Sequence, residues 1–260
     1  MEPGLARDAL TLIAGLATGA LSGAFGVGGA VVSTPAIRAL GASAIVAVGT
    51  TLPSILPSAV MGTTRYAKAG LIRWRVVTWT APAGLLSAVG GSLLSRVIPG
   101  HGHWLMIATA GLLGFTAVRM RRPRDTTHEA TDNQFDIRPP VLIGVGAVAG
   151  LMSGLLGIGG GTVMVPGFTE VAGMPLKSAI ATSLACVGIF AVPSTVTHAL
   201  MGDIDWRFAA VLTVAVVPGA RIGAAAAIRA TDRRMRLAVA AFLGAVSLLY
   251  AAGEVLALAR

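Results

Sequence analysis

The chain has 260 residues, 55% of them hydrophobic and only 12% charged, with a mean hydropathy of +0.79. A soluble domain of this length needs far more polar surface, so the composition excludes one and predicts a membrane protein. The formal charge of +9 does not point to nucleic acid, because the basic residues sit between apolar stretches and form no aromatic-interleaved groove.

In chain order, apolar stretches cover 9–40, 42–64, 76–98 and 104–118, then 141–172, 178–201, 208–228 and 237–258. Most approach the roughly 20 residues that cross a bilayer as a helix. The first and fifth are longer: at about 1.5 Å per residue, either would near 50 Å against a hydrocarbon core of about 30 Å. Each carries a glycine phrase near its middle. The first reads Ser22-Gly23-Ala24-Phe25-Gly26-Val27-Gly28-Gly29 and precedes Pro35. The second reads Ser153-Gly154-Leu155-Leu156-Gly157-Ile158-Gly159-Gly160 and precedes Pro166. Glycine and proline interrupt helices, so each long stretch predicts two half-helices or a re-entrant hairpin. Glu2 and Asp8 depart from the basic start of a signal peptide, and the N-terminal stretch is read as retained.

The hydrophilic segment Arg119 to Arg138 has too few apolar residues for a core. It divides the chain into a first membrane repeat, 1–118, a cytoplasmic linker, 119–140, and a second membrane repeat, 141–260. The repeats match beyond the glycines. Ala47-Val48-Gly49-Thr50-Thr51-Leu52 aligns with Ala179-Ile180-Ala181-Thr182-Ser183-Leu184, and Gly70-Leu71-Ile72-Arg73-Trp74-Arg75 with Gly202-Asp203-Ile204-Asp205-Trp206-Arg207. Two repeats in a hydrophobic chain predict a duplicated all-α polytopic membrane fold rather than a solenoid.

Equivalent loops carry opposite charge. The loop before Trp74 has Arg65, Lys68, Arg73 and Arg75 without an acid, whereas the loop before Trp206 has Asp203 and Asp205 against Arg207. One loop later the balance reverses, with Arg96 alone in the first half and Arg229, Arg233, Arg234 and Arg236 against Asp232 in the second. Cytoplasmic loops collect Arg and Lys, so the pattern predicts inverted repeats, each with an odd number of crossings. Parallel repeats of four simple spans are the alternative.

Paired interruptions in two halves point to a transporter's substrate site. A break exposes backbone N–H groups and the positive helix end, both of which attract anions. Close helix packing is the competing explanation of the same glycines. The candidate substrate contacts are therefore Ser22, Gly26, Gly28, Gly29, Ser153, Gly157, Gly159, Gly160 and Gly161. The hydroxyl pairs Thr50-Thr51 and Thr182-Ser183 are added as donors beside the breaks, their alternative being bonds to their own backbone. Arg221, in Pro218-Gly219-Ala220-Arg221-Ile222-Gly223, reads either as a bidentate oxyanion ligand or as a snorkelling side chain. His198 reads as an interfacial side chain rather than a proton carrier.

Acids fall mostly in loops and termini, which disfavours a cation transporter or proton pump. Four scattered histidines and one cysteine make no metal set, and no cofactor is expected. No nucleophile motif or acid/base pair supports an enzyme. Cys186 excludes an intrachain disulfide and reads as a small buried hydrophobe.

The duplicated S-G-x-x-G-[VI]-G-G, the A-x-x-T-[TS]-L segment, the G-x-I-x-W-R loop and the P-G-A-R-I-G helix together resemble the sulfite exporter TauE/SafE family of bacterial permeases. The resemblance spans nearly the whole chain. It implies a multi-pass inner-membrane protein that moves small sulfur-containing or organic anions such as sulfite or sulfonates. Ala30 stands where the second repeat has Gly161, so the half-sites differ. A secondary transporter of a small anion is the leading expectation, with the lipid bilayer and the anion as partners and an oligomer allowed. An anion channel and a non-transporting membrane scaffold are the rivals.

Overall fold

The computed structural model describes residues 5–39, 41–94, 110–111, 113–119, 138–156 and 160–258. Most of these residues are helical, and none of them lies in a strand. The first half comprises α1 (Leu5–Phe25), α2 (Ala30–Ala39), α3 (Ala44–Lys68) and α4 (Trp74–Leu94). The second comprises α5 (Pro139–Leu156), α6 (Gly161–Pro166) running into a wider π-type turn (Gly167–Val171), α7 (Leu176–Leu200), α8 (Trp206–Arg229) and α9 (Asp232–Leu258). The long stretches 9–40 and 141–172 are thus both interrupted at their glycine phrases. Their parts are unequal: α1 is a full 21-residue helix and α2 has 10 residues.

Among the described residues, five helices are long and apolar enough to cross a membrane: Arg7–Phe25, Ile45–Lys68, Trp74–Leu94, Leu176–Leu200 and Trp206–Arg229. The polarity of the packing agrees with a bilayer as solvent. Ile13, Leu86, Val148, Val196, Val214 and Leu248 are exposed on the outside, whereas Ser, Thr and Tyr side chains are buried inside. In water the hydrophobic effect drives the opposite arrangement.

Two hairpins repeat one device. After α3, Leu71 N–H donates to the Tyr66 carbonyl (3.1 Å) and Gly70 takes φ +68°. After α7, Asp203 N–H donates to the His198 carbonyl (3.0 Å) and Gly202 takes φ +74°. A left-handed glycine closing a helix in this way reverses the chain within a few residues. This is why the G-x-I-x-W-R loop appears twice. Asp205 then caps α8, its carboxylate accepting from the N–H groups of Arg207 (3.0 Å) and Phe208 (3.1 Å). Arg73, its counterpart, is no acceptor and leaves α4 without that side-chain cap.

The halves interlock. The most extensive packing joins α1 to α8 and α4 to α5, so the first helix of each half lies on the last described long helix of the other's hairpin. Both seams are made of glycines four apart, which let backbones approach closely. Gly15, Gly19 and Gly23 of α1 face Leu212, Val216 and Ala220 of α8 in ascending order, so these helices run parallel. Gly146, Gly150 and Gly154 of α5 face Thr80, Gly84 and Ala88 of α4 in the same manner. The equivalent helices α3 and α7 also touch: Gly62 meets Leu184, and Gly188 meets Ala59, which makes this pair antiparallel.

Candidate functional site

The two glycine phrases have a division of labour that spacing alone does not reveal. Gly23 and Gly154 are seam residues, since a Cβ at either would strike backbone of α8 or α4. The glycines after them make the breaks. Gly26, Gly28 and Gly29 take φ of +69°, +87° and +77°, and Gly160 takes +64°. Side chains strongly disfavour those backbone conformations. The packing and interruption readings are therefore both correct, for different members of one phrase. Gly157 and Gly159 lie outside the described residues.

The breaks meet in the interior. A Cβ on Gly161, at the start of α6, would sit 2.7 Å from the Val27 Cα, and closer still to the Gly26 carbonyl. On its other side the first break docks against α7. Ser183 Oγ donates to the Gly26 carbonyl at 2.7 Å, and a Cβ on Gly26 would be 2.5 Å from the Ile180 carbonyl oxygen. Gly29 rests on α1, where an added Cβ would be 2.8 Å from Thr18 Cγ2 and 3.2 Å from Ser22 Cβ. The Gly29 carbonyl accepts from Val32 (3.0 Å) and Ser33 (3.3 Å), as the Gly160 carbonyl accepts from Val163 and Met164 (both 3.1 Å). Among the described residues, the N–H groups of Gly28 and Gly29 donate to no backbone carbonyl.

The expected hydroxyl donors all have protein partners. Thr50 Oγ1 accepts from the Asp205 N–H at 2.9 Å, and Thr182 Oγ1 accepts from the Arg73 N–H at 3.1 Å. These are equivalent positions, so each half terminates the other half's hairpin by the same bond. Thr51 Oγ1 donates to the Val48 carbonyl (2.9 Å) and lies 3.4 Å from Thr34 Oγ1. Ser22 Oγ accepts from Ser58 Oγ at 2.9 Å. Its counterpart Ser153 is buried with no partner for its hydroxyl.

Arg221 is not brought to the breaks. The buried face of α8 is Gly219, Ala220 and Gly223, and Arg221 stands exposed beside the exposed Ile222. His198 is buried rather than interfacial, because it occupies the inward face of α7, and its Nδ1 is 3.3 Å from an Asp203 carboxylate oxygen. It is the counterpart of Tyr66, whose hydroxyl donates to the Gly23 carbonyl at 2.7 Å. Sequence reasoning passed over Thr18, Ser58 and Tyr66. Their only signal was a hydroxyl on an apolar helix, which many structural residues share.

A sequence model of the family described as sulfite exporter TauE/SafE matches residues 11–250. A probable membrane transporter protein of Xylella fastidiosa is 29% identical over 223 residues, covering 85% of either chain. The probable membrane transporter protein YunE of Bacillus subtilis is 26% identical over 242 residues, covering 82% of this chain and 85% of its own. Another from Methanocaldococcus jannaschii is 23% identical over 259 residues, covering 92% and 93%. No solved structure matches the chain.

Proposed function

Because the chain belongs to the sulfite exporter TauE/SafE family of membrane transporters, we propose that it is a secondary transporter of small oxyanions, sulfur-containing or organic, in a bacterial inner membrane. The observation that carries this reading is the junction of the two breaks, where Gly161 meets Gly26 and Val27 between α1, α6 and α7. Irregular backbone within a membrane protein survives only where it lines a cavity or is buried in protein. Here it places polar N–H groups and the start of α2 at the contact between the halves. Such donors suit an anion. Movement of one half against the other would then expose the junction to alternate sides.

The halves are inverted in this reading. Its support is the antiparallel crossing of the equivalent helices α3 and α7, together with the parallel pairs α1–α8 and α4–α5. With the helices upright, one end of the bundle gathers Arg65, Lys68, Arg73, Arg75, Lys177, Arg229, Arg233 and Arg234 against Asp232. The other end has Arg7 and Arg207 with Asp8, Asp203 and Asp205. The positive-inside bias makes the first end cytoplasmic, which sets the start of α1 outside.

Counterflow in proteoliposomes tests the function. Vesicles loaded with unlabelled sulfite or sulfoacetate should transiently accumulate the labelled anion above equilibrium. Flux without counterflow indicates a channel, and absence of flux for every small oxyanion offered refutes transport.

A further inference from the structure

The sequence divides the protein into two halves, but the packing divides it differently. α1 and α8 belong to different halves and share the most extensive seam, and α4 and α5 repeat the arrangement. Within each hairpin the successive helices scarcely touch, α3 having little contact with α4 and α7 little with α8. Each hairpin therefore delivers its second helix to the other half. The crossings are the short extended links 71–73 and 203–205.

Each delivered helix is fastened where it arrives. The Asp205 N–H ties the start of α8 to Thr50 of α3, and the Arg73 N–H ties the start of α4 to Thr182 of α7. Beyond those starts the glycine seams take over. A Cβ on Gly19 would lie 2.9 Å from the Ala220 nitrogen, and one on Gly154 would lie 2.6 Å from the Ser92 nitrogen, so backbone rests on backbone. With no side chain between them to change rotamer, such surfaces do not slide by repacking. α3 is bound to α1 as well, through Ser58 to Ser22 and Tyr66 to the Gly23 carbonyl. In contrast, among the described residues no side-chain hydrogen bond joins α3 to α7. Those helices meet through Gly62 on Leu184 and Gly188 on Ala59.

From this we infer that the bodies that move in transport are not the two sequence halves but two exchanged units. One consists of α1, α2, α3 and α8, the other of α4, α5, α6 and α7. They meet along the α3–α7 crossing and at the junction of the breaks, where Ser183 of the second unit donates to the Gly26 carbonyl of the first. The links 71–73 and 203–205, one at each end of the bundle, absorb the change of angle. At the basic end Lys177 of α7 bridges the units: its Nζ donates to the Ile228 carbonyl of α8 (3.1 Å) and stands 3.7 Å from an Asp232 carboxylate oxygen. The repeat alignment places the exposed Ile45 at the matching position, where no such bridge can form. Opening at the basic end must break the Lys177 bridge; opening at the other end need not. This inference rests on the transport reading above and changes which parts move within it.

The test uses full-length protein in proteoliposomes and two cysteine pairs in a Cys186→Ser background. Its readout is counterflow of sulfite, methanesulfonate or sulfoacetate, whichever the wild type exchanges fastest. Asp8→Cys with Arg207→Cys joins the two sequence halves but lies within one unit, where the native side chains form a 2.9 Å ion pair. Lys177→Cys with Asp232→Cys lies within one sequence half but ties α7 of one unit to the residues that follow α8 of the other. Each pair is bridged with a short bis-maleimide, and the same pair carrying N-ethylmaleimide is its reference. Bridging positions 8 and 207 should leave counterflow within about twofold of the reference, whereas bridging 177 and 232 should lower it about tenfold or more. Movement of the sequence halves demands the reverse pattern. Loss of counterflow on bridging the first pair overturns the inference, and so does unchanged counterflow on bridging the second; either pair decides alone if the other fails to fold. Both outcomes leave the transport reading intact. Wild-type protein that exchanges none of the three probes removes the transport reading itself.

Discussion

Alanine at Gly150 should force α4 and α5 apart. A Cβ there would lie 2.6 Å from the Gly84 carbonyl carbon and nearer still to its oxygen, so the obstacle is backbone that cannot rotate aside. The nearest atom, the Gly84 carbonyl oxygen, sets the demand, so to reach the 3.4 Å edge of ordinary contact the seam must open by well over about 1 Å at this point, in an interior that packs like a crystal. Overpacking of this kind costs about 1–3 kcal/mol, with the upper part of the range expected for a backbone clash. The better helix propensity of alanine offsets at most about 1 kcal/mol of it. Gly144 lies on the same helix and has nothing within 4 Å of its Cβ position, so Gly144→Ala carries the propensity gain alone. At about 2–4 °C per kcal/mol for a chain of this size, Gly150→Ala should melt roughly 4–8 °C below wild type and Gly144→Ala level with it or slightly above. The single cysteine supplies the assay. Cys186 is fully buried, so a maleimide dye reports its exposure as the protein unfolds in detergent. Equal melting of Gly150→Ala and Gly144→Ala would refute the close seam.

Four further outcomes follow from the geometry. Thr50→Val and Thr182→Val should each cost about 1 kcal/mol, as the loss of a helix-starting acceptor does, while the serine variants stay near wild type; unchanged melting of both valine variants would show the reciprocal bonds to be incidental. Tyr66→Phe removes a buried 2.7 Å bond to the Gly23 carbonyl and should lower stability by about 1–2 kcal/mol, read in the same dye assay; a variant as stable as wild type contradicts that bond. Cysteines placed beside Trp74 and Trp206 in a Cys186→Ser background should label from opposite sides with an impermeant reagent, the Trp206 site from outside; equal labelling rules out inversion. Arg221→Ala should carry sulfite at close to the wild-type rate, because the side chain stands on the outer face of α8; a tenfold loss would mean that it reaches the substrate.

What the sequence made legible was local. The lengths of the apolar stretches exceeded one crossing, and the glycines that take positive φ at 26, 28, 29 and 160 mark where the helices stop. The hairpins at Gly70 and Gly202 were readable as a repeated loop for the same reason. Relations across the chain were not legible. Gly23 shares its phrase with the break glycines, and only Ala220 of the other half, placed against it, makes it a seam residue. Thr50 looked like a ligand donor because nothing in its neighbourhood announces Asp205 as its partner. The placement of Arg221 depends on which face of α8 receives α1, and that is fixed by Gly219 and Gly223 rather than by the arginine. Within the stretch 104–118, residues 110–111 and 113–118 are described and helical, and α5 begins at Pro139, slightly before the expected start at 141.

The α1–α8 seam also sets a schedule for biosynthesis. Gly19 meets Val216 and Ala220, so roughly 200 residues must be made before α1 finds its partner, on the order of 10–40 s at common elongation rates of about 5–20 residues per second. Throughout that interval α1 is held by its hydropathy, by its packing on α2 and by α3, which reaches it through the Ser58–Ser22 and Tyr66–Gly23 bonds, while its row of glycines lacks α8. α4 waits a shorter time for α5, because only the linker and the preceding segment separate them. A chain arrested before Trp206 therefore has both partners of the α4–α5 seam and an α1 that lacks α8, and the ribosome's position decides which half of the interlock exists.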